Sequence, residues 1–345
     1  MTRPVRAVCP APAAVLCSIA AALPATVISN EDLATELGTS TEWIRTRTGI
    51  DRRHVAGAHV STADLAVEAA HRALERAGTR QVQALVLATA TPDQQLPATA
   101  PVVAARLGLH GVAAVDVAAA CTGFLYALAT AAGFIAAGTA GTVLVIGADR
   151  LTSLLAPDDR STRAVFGDGA AAMLLRRGHR DEPGALGPFV LGSDGTHHHL
   201  LQAPHGGLLR MDGPALFRHA VQRLGAAAQD AAHAAGWRMQ DVDHLAPHQA
   251  NARILDAVAA RLKIPAERRL CNLQHVGNTS AASIPLLLAQ ACADGRLAPG
   301  QRLLLTAFGA GLTWAATTLT WPDLTTSPSS DPACPLSASP TGEPR

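Results

Sequence analysis

The sequence predicts an α/β fold with parallel, buried strands, arranged as two similar halves. Three observations carry that expectation. Short apolar β-type runs alternate with Ala-rich helical stretches, a pattern that pairs strands in parallel and covers both faces of a sheet with helices. The order of elements echoes itself. In each half a helix and a strand lead to a strand ending at a reactive type of residue, a helix follows, and two adjacent strands close the unit. The chain also has 345 residues, 48% of them hydrophobic, enough for a large core and too many for one small domain.

The first strand is expected at Ala14–Ala20, ending in a turn at Leu23-Pro24. Arg3 and Arg6, ahead of an apolar stretch from Ala7 to Val27, imitate a signal peptide, but Pro10 and Pro12 interrupt the run and favour a core strand. Further strands are read at Ala84–Thr89, Val112–Val117, Thr142–Gly147, Ala171–Leu175, Val242–Ala246, Arg268–Leu273, Arg302–Ala307 and Thr313–Thr320. Helices are read at Thr62–Ala77, Ala98–Leu107, Thr122–Ala137, Gly213–Ala235, Asn251–Leu262 and Ala281–Asp294. The halves meet near Gly178–Gly187, a stretch rich in Gly, Pro and charge, which gives units of residues 1–180 and 181–322. Residues 323–345 are dense in Ser, Pro and Thr and read as a disordered tail. No uninterrupted run of about twenty apolar residues occurs elsewhere, so no membrane span is expected.

The net charge is +1, from 28 Lys+Arg against 27 Asp+Glu, which argues against a nucleic-acid partner. The cysteines are Cys9, Cys17, Cys121, Cys271, Cys292 and Cys334. They form no C-x-x-C pair and are too sparse for a disulfide scaffold, which fits a reduced, cytoplasmic setting.

Cys121 ends a β-type run at Ala118–Ala120 and precedes a long apolar helix. Unpaired N–H groups and the helix dipole at that position favour a thiolate, the nucleophilic form of cysteine. Gly123 is expected to leave room beside the sulfur. His248 follows a β-type run ending at Ala246-Pro247, and Asn278 follows the turn at Gly277. All three sit at the C-terminal end of a strand, the edge where open α/β sheets bind ligands. Neutral His Nε2–H and Asn Nδ2–H donors suit an enolate oxygen that develops when a substrate loses CO₂, and one such donor is worth about 3 kcal/mol of barrier. The run His197–His199 could suggest a metal, but adjacent histidines do not easily share a coordination face, and a variable loop is the better reading.

The segments EWIRTRTGI (Glu42–Ile50), DVAAACTGF (Asp116–Phe124), FGDGA (Phe166–Ala170), PHQAN (Pro247–Asn251), GNTSAAS (Gly277–Ser283) and FGAGLTW (Phe308–Trp314) resemble, in order, those of β-ketoacyl-acyl carrier protein synthase III. The resemblance implies a thiolase-like five-layer αβαβα sandwich, a homodimer, and no cofactor. It implies that Cys121 takes an acyl group from an acyl-coenzyme A primer and condenses it with malonyl-acyl carrier protein, His248 and Asn278 promoting decarboxylation. The backbone N–H groups of Cys121 and Ala310 would form a second oxyanion hole, with Ala310 standing where most relatives have Gly. Trp43, Arg47 and Arg160 would hold the nucleotide end of coenzyme A, Asn251 its pantetheine arm, and Phe308 would line the site. Arg218, Arg253 and Arg261 would dock the acidic carrier protein. The glycines of FGDGA are expected to allow close backbone packing. A thiolase would place a second Cys just before the final Gly-rich turn, where this chain has Ala307. A hydroxymethylglutaryl-coenzyme A synthase would carry a Glu ahead of its Cys, and no clear candidate is present. The alternative within the family is a priming enzyme or acyltransferase of polyketide or secondary metabolism.

Overall fold

The computed structural model describes residues 12–324. The N-terminal arginines and all but the first two residues of the expected tail lie outside them.

Nine strands build two sheets: β1 (Pro12–Ala22), β2 (Ala84–Ala88), β3 (Ala113–Val117), β4 (Thr142–Arg150), β5 (Asp168–His179), β6 (Leu186–Ser193), β7 (His244–Pro247), β8 (Arg302–Gly309) and β9 (Thr313–Thr320). The first sheet runs β3-β2-β4-β5-β1. There β2 pairs in parallel with β3 and β4, while β4–β5 and β5–β1 are antiparallel. The second runs β7-β8-β9-β6, with one parallel and two antiparallel pairings. Arg269 adds a single parallel bridge to Leu245 on the free side of β7. With Arg269 in the place of the missing strand, both sheets have the same strand order, so the echo in the sequence is an echo in topology.

Six longer helices complete the layers: α1 (Thr62–Ala77), α2 (Thr99–Arg106), α3 (Gly123–Ala136), α4 (Gly213–Ala234), α5 (Ala252–Leu262) and α6 (Ser283–Ala293). Successive strand residues point to opposite faces, and the core follows that alternation. Val86 and Val145 of the first sheet and Leu305 and Ala307 of the second close on α3 and α6, which lie between the sheets. Leu85, Leu87 and Ile146 point the other way, onto α1 and α2. Leu245, Leu304 and Ala316 face α4 and α5. The result is the five-layer sandwich of the thiolase-like fold. Its middle layer is apolar on every side, as the mostly buried faces of α3 and α6 require.

Two elements depart from the sequence reading. The strand expected at Arg268–Leu273 is reduced to its one bridge, because the N–H groups of Asn272 and Leu273 go instead to the Gln249 side chain, at 3.1 and 3.3 Å. Conversely, the sequence reading places no strand at β6, which starts at the end of the expected junction Gly178–Gly187 and runs on across Pro188 and Gly192. It is an edge strand, where Pro is tolerated, and its glycines admit the neighbouring strand. A Cβ on Gly187 would lie 1.6 Å from Thr318 Oγ1, and one on Gly192 would lie 2.3 Å from the Trp314 ring. The first strand forms as expected, and Pro12–Ala22 pairs along β5.

The centre of the molecule leaves no slack between the halves. A Cβ on Gly147 in β4 would fall 2.6 Å from the Ala281 carbonyl oxygen of the second half. Gly147→Ala is therefore expected to cost about 1–3 kcal/mol, read as a lowered denaturant midpoint with unchanged slope.

Candidate active site

Cys121 lies in a tight turn between β3 and α3. Ala120 takes φ +45°, a left-handed conformation that is strained for a residue with a Cβ. One 3₁₀ turn, Ala120–Thr122, then runs directly into α3 with no side-chain cap. Thr122, fully buried, anchors the turn by bonding the Ala119 carbonyl and the Thr313 hydroxyl, the latter at 2.6 Å. The second half repeats this construction. Ser280 takes φ +50°, and the 3₁₀ turn Ser280–Ala282 runs uncapped into α6. Ala281 is thus the counterpart of Cys121. The turns press together through Gly123, whose absent Cβ would sit 3.2 Å from Ala88 and 3.5 Å from Ala281. Gly123 makes room for that contact rather than for the sulfur.

Asn278 is held by its own backbone. Its N–H donates to Val165 O at 2.9 Å, and its carbonyl accepts from Gly167 N at 3.0 Å. The glycines of the FGDGA segment allow this approach, since a Cβ on Gly167 would lie 2.7 Å from Val276 O. Gly277, at φ +76°, turns the chain beneath it. The Asn278 Oδ1 accepts the Ser280 N–H at 2.9 Å, which fixes the amide so that Nδ2 is free to donate.

His248 continues the β7 ladder by donating its N–H to Thr306 O at 2.8 Å. The next residue, Gln249, is buried and clamps the two second-half turns. Its N–H donates to Ser283 Oγ at 2.7 Å, and its Oε1 receives the Asn272 and Leu273 N–H groups described above. Burial drives the His248 pKa down to about 3, so the imidazole is neutral at physiological pH. Its Nδ1 is enclosed without a partner. An enclosed donor costs more than an enclosed lone pair, so the tautomer with hydrogen on Nε2 is favoured.

Cys121, His248 and Asn278 line one cavity of about 100 Å³. Leu201, Met211, Leu216 and Phe308 make it apolar, and Asn251 stands on its wall. Gly309 brings the end of β8 against the nucleophile turn, where a Cβ would lie 2.9 Å from Cys121 N. Ala310 follows with an ordinary negative φ, so this turn accepts alanine without backbone strain. In this closed cavity burial pushes the Cys121 thiol up to about 12. Asp149 adds to the shift, while the Ser280 side chain and the Cys121 N–H oppose it. Desolvation thus works against the helix N-terminus, whose N–H groups and dipole favour the thiolate.

The residues expected to hold the nucleotide gather around Trp43. The Arg47 and Arg160 guanidinium carbons lie 4.7 and 5.3 Å from the Trp43 ring centroid, within cation–π range. Gly49 lets this segment touch α5, where its Cβ would meet that of Ala252 at 2.3 Å. Asn251 caps α5, donates Nδ2 to Arg47 O at 2.9 Å and also lines the cavity. Arg218, Arg253 and Arg261 are exposed on α4 and α5, and Arg261 lies across Gly225. His197–His199 form part of a 3₁₀ segment, with His197 packed edge-on to His219 at 4.5 Å. Sequence reasoning missed Gln249, Asp149 and Ser280, although two of them lie inside motifs that drew notice.

A doubled sandwich with a cysteine, an imidazole and a carboxamide on one cavity defines a condensing enzyme of the thiolase-like class. Two family profiles match: 3-oxoacyl-[acyl-carrier-protein (ACP)] synthase III over residues 115–195 and its C-terminal region over residues 232–321. Beta-ketoacyl-[acyl-carrier-protein] synthase III 5 of Streptomyces coelicolor is 51% identical, over 91% of this chain and 98% of the relative. The solved 3-oxoacyl-(acyl carrier protein) synthase III of Pseudomonas aeruginosa PAO1 is 50% identical, with a TM-score of 0.89 over 91% of this chain and all of that one. The priming β-ketosynthase of the R1128 polyketide pathway is 34% identical, with a TM-score of 0.86 over 93% of this chain and 99% of that one. The chain belongs to the 3-oxoacyl-acyl carrier protein synthase III family.

A thiol held at about 12 is protonated across the neutral range. Alkylation of Cys121 by iodoacetamide should therefore rise about tenfold per pH unit through pH 9, without levelling off. A plateau near pH 8, followed by intact mass, would contradict the burial argument.

Proposed function

We propose that the chain carries out the initiating condensation of fatty acid synthesis, joining an acyl-coenzyme A primer to malonyl-acyl carrier protein. The observation that carries this is the convergence of Cys121, His248 and Asn278 on one apolar cavity, in a chain about half identical to proteins named for that synthase. The polyketide alternative is less favoured, its relative being the more distant at 34% identity.

In the first half-reaction the Cys121 sulfur attacks the thioester carbon of the primer. The N–H groups of Cys121 and Ala310 receive the negative charge on the carbonyl oxygen. Collapse breaks the carbon–sulfur bond to coenzyme A, which leaves as its thiol with the proton from Cys121. In the second, the malonyl carboxylate departs as CO₂, and the bonding electrons move into an enolate on the carrier thioester. His248 Nε2–H and Asn278 Nδ2–H donate to the enolate oxygen. Two neutral donors suffice, because CO₂ loss supplies the electrons and no base has to remove a proton from carbon. The enolate carbon then attacks the acyl carbon on Cys121, giving a 3-oxoacyl carrier product and returning the thiol once protonated. Every bond is made by these side chains and the substrates, so this reading calls for no cofactor.

Trp43, Arg47 and Arg160 would receive the nucleotide of coenzyme A, Asn251 and Phe308 its inner arm, and Arg218, Arg253 and Arg261 the acidic carrier. Guanidinium groups suit phosphates and carboxylates through their forked donors. The halves are assigned to residues 1–180 and 181–322. A second copy would pair along β3, which has a strand neighbour on one side only and leaves Val115 40% exposed. No helix among the described residues is long and apolar enough to cross a membrane, consistent with the cytoplasmic setting we assign.

Cys121→Ser should remove the acyl adduct that intact-mass analysis finds after incubation with acyl-coenzyme A. Asn278→Ala should keep the adduct but slow malonyl decarboxylation by about 10²-fold; an unchanged rate of CO₂ release would count against its role. Arg218→Glu combined with Arg253→Glu should raise KM for the carrier protein several-fold more than KM for the primer. Equal changes in both would exclude docking at these helices.

A further inference from the structure

Asp149, at the end of β4, is fully buried and takes no part in the chemistry described above. Its carboxylate is nonetheless saturated with donors. Oδ1 accepts from Ala90 N at 2.7 Å, Thr89 Oγ1 at 3.1 Å and Thr91 Oγ1 at 3.2 Å, all in the first half. Oδ2 accepts from Ala281 N at 2.9 Å, in the second half.

The location of that last bond gives Asp149 its importance. Ala281 is the counterpart of Cys121, so its N–H corresponds to the one that Cys121 would offer to a substrate oxyanion. In the first half that position faces the cavity. In the second half the Asp149 side chain occupies it, giving the uncapped helix start an acceptor. Ala281 is also next to Ser280, whose N–H holds the Asn278 Oδ1. A short chain of bonds therefore runs from β4 through Asp149 to Ala281, along the backbone to Ser280, and back to the Asn278 carboxamide. Burial raises the pKa of both the thiol and the Asp149 carboxyl, and the Ser280 side chain, near both, opposes the rise in each.

We propose that Asp149 is a positioning residue for the condensation step: it ties the second-half turn to the first-half sheet and so sets where the Asn278 donor stands relative to the acylated Cys121. The proposal rests on the roles given above to Cys121 and Asn278. It adds that the coupling between halves is directional, through one buried side chain hydrogen-bonded to both, and not only a matter of apolar packing. An asparagine at this position would present N–H₂ to at least one of the donors now facing Oδ1 or Oδ2, and the turn would shift.

The test separates the two half-reactions in the full-length protein. In Asp149→Asn, acylation of Cys121 by acyl-coenzyme A should stay within about threefold of the parent, with unchanged KM for the primer, while malonyl decarboxylation should fall by roughly tenfold or more, because displacing a transition-state donor by a fraction of an ångström is costly. Thr89→Val, which removes one of the bonds holding the carboxylate, should move the same ratio in the same direction by a smaller factor, and Thr89→Ser should restore it. Equal loss in both half-reactions, or no loss in either, would overturn the proposal. Should Asp149→Asn fail to fold, the Thr89 pair decides, and identical ratios for Val and Ser would refute the coupling. The Cys121 and Asn278 variants run alongside distinguish the outcomes: normal behaviour of those two would overturn the site assignment itself, whereas loss in them with none in Asp149→Asn removes only the positioning role.

Discussion

Two buried turns, one from each sheet, meet backbone to backbone at the centre of the molecule, and that contact places everything else. Each turn contains a non-glycine residue in the left-handed region, Ala120 and Ser280. Such strain persists only where surrounding structure over-determines it. Here Thr122 bonds one turn to β9, Asp149 holds the other, and Gly147 and Gly123 remove the side chains that would keep the two apart. The central helices start from these turns, and so does the nucleophile.

The contact also buries Cys121, His248 and Asn278, which sets the electrostatics. With burial favouring the neutral forms of His248 and Cys121 alike, the unliganded cavity holds hydrogen-bond donors but little charge of its own. That arrangement suits chemistry in which the substrate brings the negative charge. A neutral imidazole with hydrogen on Nε2 can donate to an oxygen that gains negative charge, and dipoles held in a buried site act more strongly than in water. Toward the surface, Arg47 and Arg160 flank Trp43, and Arg218, Arg253 and Arg261 stand exposed.

Much of this was legible in the sequence, and the exceptions share a cause. Strand–helix alternation located most of the sheet strands, and the three reactive residues stood out because each followed an apolar run at a turn. β6 was hidden because Gly187, Pro188 and Gly192 carry turn propensities, and only contact with Thr318 and Trp314 shows why a strand needs them. The expected strand at Arg268–Leu273 failed for the opposite reason, its local pattern being overridden by the Gln249 side chain. Asp149 left no local trace at all, since its partner Ala281 lies 132 positions away. The effect of burial on Cys121 was likewise out of view, because a helix start is visible in sequence and burial is not.

The matching strand orders of the two sheets have a consequence for how this polypeptide tolerates change. One copy of the repeated unit kept a sulfur at its central bend; the other has alanine there and supplies the imidazole and the amide instead. On the reading proposed above, neither unit alone holds all three groups, and drift in either is felt in the same small chamber. Division of labour has made twin architectures mutually dependent, and the seam between them is the place where the molecule has least freedom to evolve.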